Sequence, residues 1–186
     1  LSDEAYSRIV YDGATYYSPA QYYSNTLLLY TYGKTLLTPG QRLGYIAVHP
    51  SMAERENVRL ALLTGQIMVG FAFPNALLQH ALPELEKLSI DIEHLQEKRD
   101  WMVDALRGMG YQVHVPQGTF YLLPRAPMLD DLAFIEMLAE QDVFCLPGTI
   151  VEMPGYYRIS LTANDRMIER SLPGFERALK AAMERA

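Results

Sequence analysis

Residues 26–49 read TLLLYTYGKTLLTPGQRLGYIAVH. Two apolar runs, 26–30 and 43–49, flank a centre that holds Lys34, a Pro39-Gly40 turn and Arg42. Both runs are continuously apolar rather than alternating. That is the pattern of a strand covered on both faces, so they predict strands of a parallel sheet in an α/β fold. A lysine that needs only water gains nothing from a place between two buried segments. In a desolvated pocket near positive charge, a lysine loses part of its protonation and its amine can attack a carbonyl carbon to form a Schiff base. Arg42 is a source of such charge, and its planar fork suits a phosphate dianion. Thr31 adds a hydroxyl for the same phosphate. On this stretch alone, the alternative is a solvated loop with two surface cations.

Upstream, SDEAY at 2–6 precedes SRIVY at 7–11, which reads as another short strand. Asp3 then lies at a strand end, where α/β proteins bind ligands. A carboxylate there suits a protonated pyridine nitrogen, which turns such a ring into an electron sink. Tyr6 is placed to give a hydrogen bond to a ring oxygen. The plainer role for Asp3 is a turn or helix cap.

Downstream, residues 51–72 predict a helix with Ser51 as N-cap and Glu54 completing a capping box. Pro74 interrupts it. A long helix is expected from Pro83, with an apolar stripe of Leu85, Leu88, Ile92, Leu95, Met102, Leu106 and Met109. Arg99 takes the one remaining place in the stripe, and Gly108 or Gly110 stops the helix. YQVHV at 111–115, TFYLL at 119–123, VFCLP at 143–147 and YYRISLT at 156–162 read as strands. Asp130 and Asp131 cap a helix through about Glu140. Asn164 caps a last helix whose apolar face is Ile168, Leu172, Phe175, Leu179 and Met183, with Pro173 kinking or restarting it. The expected organisation is a partial sheet domain over 1–75, a linking helix over 76–109 and a smaller α/β domain over 110–186.

Composition removes several function classes. Net charge is −6, and although eight of the thirteen tyrosines fall in residues 6–32, Arg8 is the only basic residue among them. Stacking rings without cations make a poor nucleic-acid groove, so no nucleic-acid partner is expected. No stretch is long and apolar enough to span a bilayer, so no membrane role is expected. The single cysteine, Cys145, allows no intrachain disulfide, fits a reducing cytoplasmic setting, and sits in an apolar run as an inert core thiol. His49, His80, His94 and His114 lack metal-ligand spacing.

Taken together, DEAY at 3–6, TYGK at 31–34, GQRLGY at 40–45 and YRISL at 157–161 resemble the class I/II aminotransferases, pyridoxal-phosphate enzymes of the aspartate aminotransferase fold type. The resemblance runs in order along essentially the whole chain. It implies the C-terminal part of the three-layer large domain of these transferases, followed by the smaller C-terminal α/β domain. It further implies that Lys34 forms the internal aldimine with pyridoxal 5′-phosphate and shuttles the proton between the substrate α-carbon and the cofactor C4′. Asp3 would pair with the pyridine nitrogen, Tyr6 with the ring 3′ oxygen, and Thr31 (where the family usually has serine) and Arg42 with the phosphate. Arg158 would clamp the substrate α-carboxylate, with Phe120 or Tyr121 on the substrate side. The implied reaction moves an amino group from an α-amino acid to a 2-oxo acid, in a homodimer of the full-length protein. A carbon–sulfur β-lyase, or a ligand-sensing domain of a transcription regulator, would use the same cofactor site. Family members extend further at the N-terminus, where they carry an aromatic that stacks on the ring, an asparagine near the 3′ oxygen and a helix end for the phosphate. This chain is therefore expected to be a piece of a longer protein with about half of the cofactor's walls, inactive alone and a weak binder of pyridoxal phosphate.

Overall fold

The computed structural model describes residues 1–185. The chain forms two compact units, the first Leu1–Ile92 and the second from Glu93 onward. In both, helices and strands mix, as the α/β expectation requires. No helix among the described residues is long and apolar enough to cross a membrane.

The first unit is built on a three-stranded sheet in the order β1 (Ser2–Asp3), β2 (Leu27–Thr31), β3 (Gly44–Val48). β1 runs parallel to β2, with Asp3 opposite Leu29. β3 runs antiparallel to β2, with Thr31 opposite Gly44 and Tyr30 opposite Tyr45. The sheet is thus mixed rather than parallel. Between β2 and β3 the chain makes one helical turn, α1 (Tyr32–Thr35), and a 3₁₀ turn at Pro39–Gln41. That link reverses the chain and carries no long crossover helix, so the returning strand pairs antiparallel. Tyr30, Tyr32 and Leu43 form a buried cluster beneath this turn, with Leu36, Leu78 and Leu82 packed on it.

Residues 7–11 are not the expected strand. The chain turns there, with Ser7 N–H donating to Glu4 O (3.0 Å) and Ile9 N–H to Tyr6 O (2.9 Å). Ile9 and Tyr11 are apolar because they fill the core. The helix expected over 51–72 is α2 (Arg55–Met68). Its start slips because Glu54 adopts a left-handed φ of 54° and offers no side-chain cap, while the Ser51 N–H donates to His49 Nδ1. α3 (Ala76–Leu85) contains Pro83 rather than beginning at it, and starts at Asn75, whose Oδ1 accepts from the N–H groups of Leu77 and Leu78. The long helix expected from Pro83 is therefore two helices. The segment between them is held elsewhere: Ile90 N–H donates to Thr35 O (3.0 Å), and the Arg8 guanidinium donates to the carbonyls of Glu86 and Leu88. Leu88, expected in the stripe, is 54% exposed as a result.

The second unit opens with α4 (Ile92–Met109), which buries Leu95, Met102, Val103 and Leu106. Arg99 is buried on the same face, its guanidinium donating to Pro116 O (2.9 Å) and to the Asp100 carboxylate (2.8 Å). The sheet is antiparallel, ordered β4 (Tyr121–Leu122), β6 (Tyr157–Ser160), β5 (Leu146–Pro147). Residues 111–115 form no ladder. Their carbonyls are taken by side chain and loop, Val113 O by Arg107 and Gln112 O by the Arg125 N–H. α5 (Asp131–Ala139) begins as expected at Asp130, whose carboxylate accepts from Ala133 N–H. α6 (Asp165–Arg185) runs as one element through Pro173, where a kink or restart was expected. Its buried face of Ile168, Phe175, Ala178 and Leu179 carries it across the missing donor, although Met183, expected on that face, is exposed. Tyr111, Phe134, Tyr157 and Phe175 pack ring against ring at the centre.

Candidate active site

Because β1 and β2 are parallel, their C-terminal ends share one edge of the sheet, and antiparallel β3 begins at that edge. Asp3 ends β1, Thr31 ends β2 and Gly44 opens β3. This is the edge at which α/β sheets gather ligand-binding side chains. Asp3, Tyr6, Thr31 and Lys34 line a single cavity of about 520 Å³ there, with Tyr45 and Gln66 completing the wall.

Each side chain is presented by a local device. Asp3 Oδ1 accepts from Ala5 N–H (3.2 Å), which fixes the turn that brings Tyr6 round. Thr31 is the N-cap of α1: its hydroxyl accepts from Gly33 N–H (3.2 Å) and donates to Leu43 O (3.3 Å). That hydroxyl, expected at a phosphate, thus ties the Lys34 turn to the strand entry. Lys34 is half-buried, and its Nζ lies 5.4 Å from the centre of the Tyr6 ring, within cation–π range. The turn rests on phenols. Tyr30 Oη and Thr35 Oγ1 share a buried hydrogen bond of 2.6 Å, and the Tyr30 and Tyr32 rings meet edge to face. Burial, reinforced by a hydrogen bond to Glu86, pushes the Tyr32 phenol well above its ordinary range. Burial likewise raises Tyr45. Both phenols stay protonated near the lysine.

Arg42 does not line this cavity. It adopts a left-handed φ of 52°, donates from Nη1 to Pro39 O (3.1 Å), and lines a neighbouring cavity that shares Gly44, Tyr45, Ile46 and Gln66 with the first. Arg158 belongs to the second unit. It lies on β6 opposite Leu146, with its guanidinium carbon 4.3 Å over the centre of the Tyr121 ring. Phe120, the other residue expected near the substrate, is buried with its ring 4.8 Å from that of Tyr121. Cys145 keeps partial exposure of the residue, and burial among its neighbours pushes the thiol up to about 12.

Two contributors were not singled out from sequence. Glu4 is buried and accepts a 2.5 Å hydrogen bond from the Ser18 hydroxyl, pinning the loop behind Asp3. Gln66 reaches the cavity from α2. Glu4 had a weak signal in its place beside Asp3. Gln66 had none, since only the packing of α2 brings it there.

The sequence model of the family described as aminotransferase class I and II matches residues 1–172. A tyrosine aminotransferase of Caenorhabditis elegans is 29% identical over 185 residues, covering 92% of this chain and 39% of the relative. An aspartate aminotransferase of Pyrococcus horikoshii is 30% identical over 194 residues, covering 97% of this chain and 48% of the relative. The crystal structure of an aminotransferase from Eubacterium rectale superposes with a TM-score of 0.89 at 33% identity, covering 97% of this chain and 45% of that one. The chain thus spans less than half the length of these relatives.

Proposed function

The chain belongs to the class I and II aminotransferase family, and from that premise we propose that the protein binds pyridoxal phosphate at the Lys34 cavity and transfers an amino group from an α-amino acid to a 2-oxo acid. The observation that carries this is the convergence of a carboxylate (Asp3), a phenol (Tyr6) and an amine (Lys34) on one cavity at a sheet edge. The donor set fits the group: a carboxylate for a pyridine nitrogen, a phenol for a ring oxygen, an amine for an aldehyde. When bound, pyridoxal phosphate supplies an electrophilic carbonyl and a ring that accepts electrons from a substrate α-carbon.

The chain's own residues do the rest. Asp3 would hold a proton on the ring nitrogen by a charge-assisted hydrogen bond. Tyr6 donates to the ring oxygen and packs against the lysine. Lys34 Nζ would be the nucleophile that anchors the cofactor and, once free, the base that takes a proton from the substrate α-carbon and delivers it to the cofactor C4′. The Thr31 cap fixes the turn that aims this amine. Arg42 would bind phosphate, and Arg158 would grip the substrate carboxylate as a fork, its guanidinium carbon lying over the Tyr121 ring. The relatives' names, tyrosine and aspartate aminotransferase, favour amino transfer over β-elimination or ligand sensing. A homodimer is part of the proposal. Leu60, Leu63, Ile67, Met68, Phe71 and Phe73 are all at least half exposed on α2 and the segment after it, an apolar patch of the kind that marks an interface.

Borohydride reduction of the protein in excess pyridoxal phosphate, followed by peptide mass mapping, tests the site even where affinity is low. A phosphopyridoxyl adduct on Lys34, absent in Lys34→Ala, is expected. An adduct confined to another lysine refutes the assignment.

A further inference from the structure

The second unit holds a cavity of about 400 Å³ that the proposed amino transfer does not use. Three segments build it, and main-chain hydrogen bonds hold them together. The Arg125 N–H donates to Gln112 O (2.8 Å), the Ala126 N–H donates to Gly155 O (2.9 Å), and Arg125 forms an antiparallel bridge with Tyr156. The walls are thus fixed by the fold itself, and the volume suits a small molecule. Gly110 and Gly155 leave part of the wall bare. A Cβ at Gly110 would meet only Leu179 Cδ2, at 3.9 Å, and one at Gly155 would meet nothing within 4 Å.

The lining divides into two parts. Pro127, Met128, Leu129, Pro154 and Leu179 are apolar, and Leu129 stands exposed. Arg125, Gln112 and Tyr156 are polar, and no carboxylate lines the cavity. The Arg125 guanidinium reaches Gln112 Oε1 at a long 3.4 Å, and among the described residues it forms no ion pair. A guanidinium fork whose charge is unmet matches a carboxylate, and the apolar part matches a ring or a branched chain. An ammonium group would find no carboxylate in the lining to pair with. We propose that this cavity binds a small monocarboxylate with an aromatic or branched apolar body and no amino group, with Arg125 as the carboxylate-binding residue.

The test is titration of hydrocinnamate into protein carrying isotope-labelled methionine methyl groups, followed by nuclear magnetic resonance. The Met128 signal is identified by its loss in Met128→Leu. A saturable shift of that signal is expected. Acetate lacks the apolar body, hydrocinnamyl alcohol lacks the charge, and phenylalanine adds the ammonium group. Each should bind about tenfold or more weakly, as should hydrocinnamate to Arg125→Gln, which loses a charged hydrogen bond. Arg125 is exposed, so its replacement leaves the core intact. Arg125→Lys keeps a point charge without the fork and should bind with intermediate affinity. Lys34→Ala and Arg158→Gln should give the wild-type Met128 titration, so the outcome stands or falls apart from the proposed amino transfer. The proposal is overturned by absence of a saturable Met128 shift, by equal affinity in the wild type and Arg125→Gln, by a response lost in Arg158→Gln, or by equal binding of the alcohol or of phenylalanine.

Discussion

Replacing Gly44 with alanine places a methyl group where the sheet leaves no room. An ideal Cβ there lies 2.4 Å from Tyr30 O and 3.3 Å from Thr31 Cα. Ordinary contact begins at 3.4 Å, so β2 and β3 must part by 3.4 minus 2.4, or about 1 Å, at the Thr31–Gly44 pair. The obstacle is backbone, so no side-chain rotation relieves it. Overpacking of this kind costs about 1–3 kcal/mol. A weakened ladder hydrogen bond adds about 1 kcal/mol. Together they predict a loss of about 2–4 kcal/mol.

Gly40 lies in the same connection and provides the control. A Cβ there meets nothing within 4 Å, and the residue sits in the 3₁₀ turn at Pro39–Gln41. Gly40→Ala should therefore stabilise by about 0.4–1 kcal/mol, through loss of unfolded-state freedom. Urea unfolding followed by circular dichroism separates the two. With a slope of about 2 kcal/mol per molar, Gly44→Ala moves the midpoint down by about 1–2 M and Gly40→Ala moves it slightly up. Gly44 also lines the Lys34 cavity, so the same variant should lower pyridoxal phosphate trapping on Lys34. A Gly44→Ala midpoint equal to the wild type, or equal losses in both variants, would refute the claim that close strand approach holds the site's edge together.

Asp131 and Cys145 supply two further tests. The Asp131 carboxylate accepts from the Thr149 N–H (2.7 Å) and hydroxyl (2.8 Å), and although burial alone would raise its pKa, these bonds hold it below the ordinary 3.8. A depressed carboxylate stabilises the fold above its unfolded pKa and loses that contribution as pH falls through the folded value. Asp131→Ala should thus destabilise the fold at pH 7, and by less as pH falls through the carboxylate's lowered folded value, as read from unfolding midpoints across pH. The Cys145 thiol, pushed up to about 12, should react with iodoacetamide at pH 8 far more slowly than a free thiol, with mass spectrometry as the readout.

What the sequence disclosed of the fold divides by how local each cause is. β2, β3 and the Asp130 cap follow from runs and spacings within a few residues, and the structure places them where those signals lie. The strand expected over 7–11 failed because Ile9 and Tyr11 are apolar for packing, and an apolar run without alternation does not distinguish ladder from core loop. The direction of β3 was likewise invisible in its composition. It is set by the reversal at α1 and Pro39–Gln41, which the sequence showed only as a Pro-Gly turn.

The same division applies to the site. Thr31 and Lys34 were legible because both lie within a few residues of the end of β2, whereas Asp3 and Tyr6 reach the same edge through β1 and the turn after it rather than through the strand expected over 7–11. Arg42 carried the right chemistry but an unforeseen address: its left-handed backbone lines the next cavity, where α2 brings Arg55, Arg59 and Gln66. Those three belong to the helix expected over 51–72, for which the sequence showed only a capping pattern and a stop at Pro74. Their convergence depends on how α2 lies across β3, which no spacing within either element encodes. Sequence order thus brings a carboxylate, a phenol and an amine to one cavity, and the packing of α2 on β3 adds the arginines of the neighbouring one.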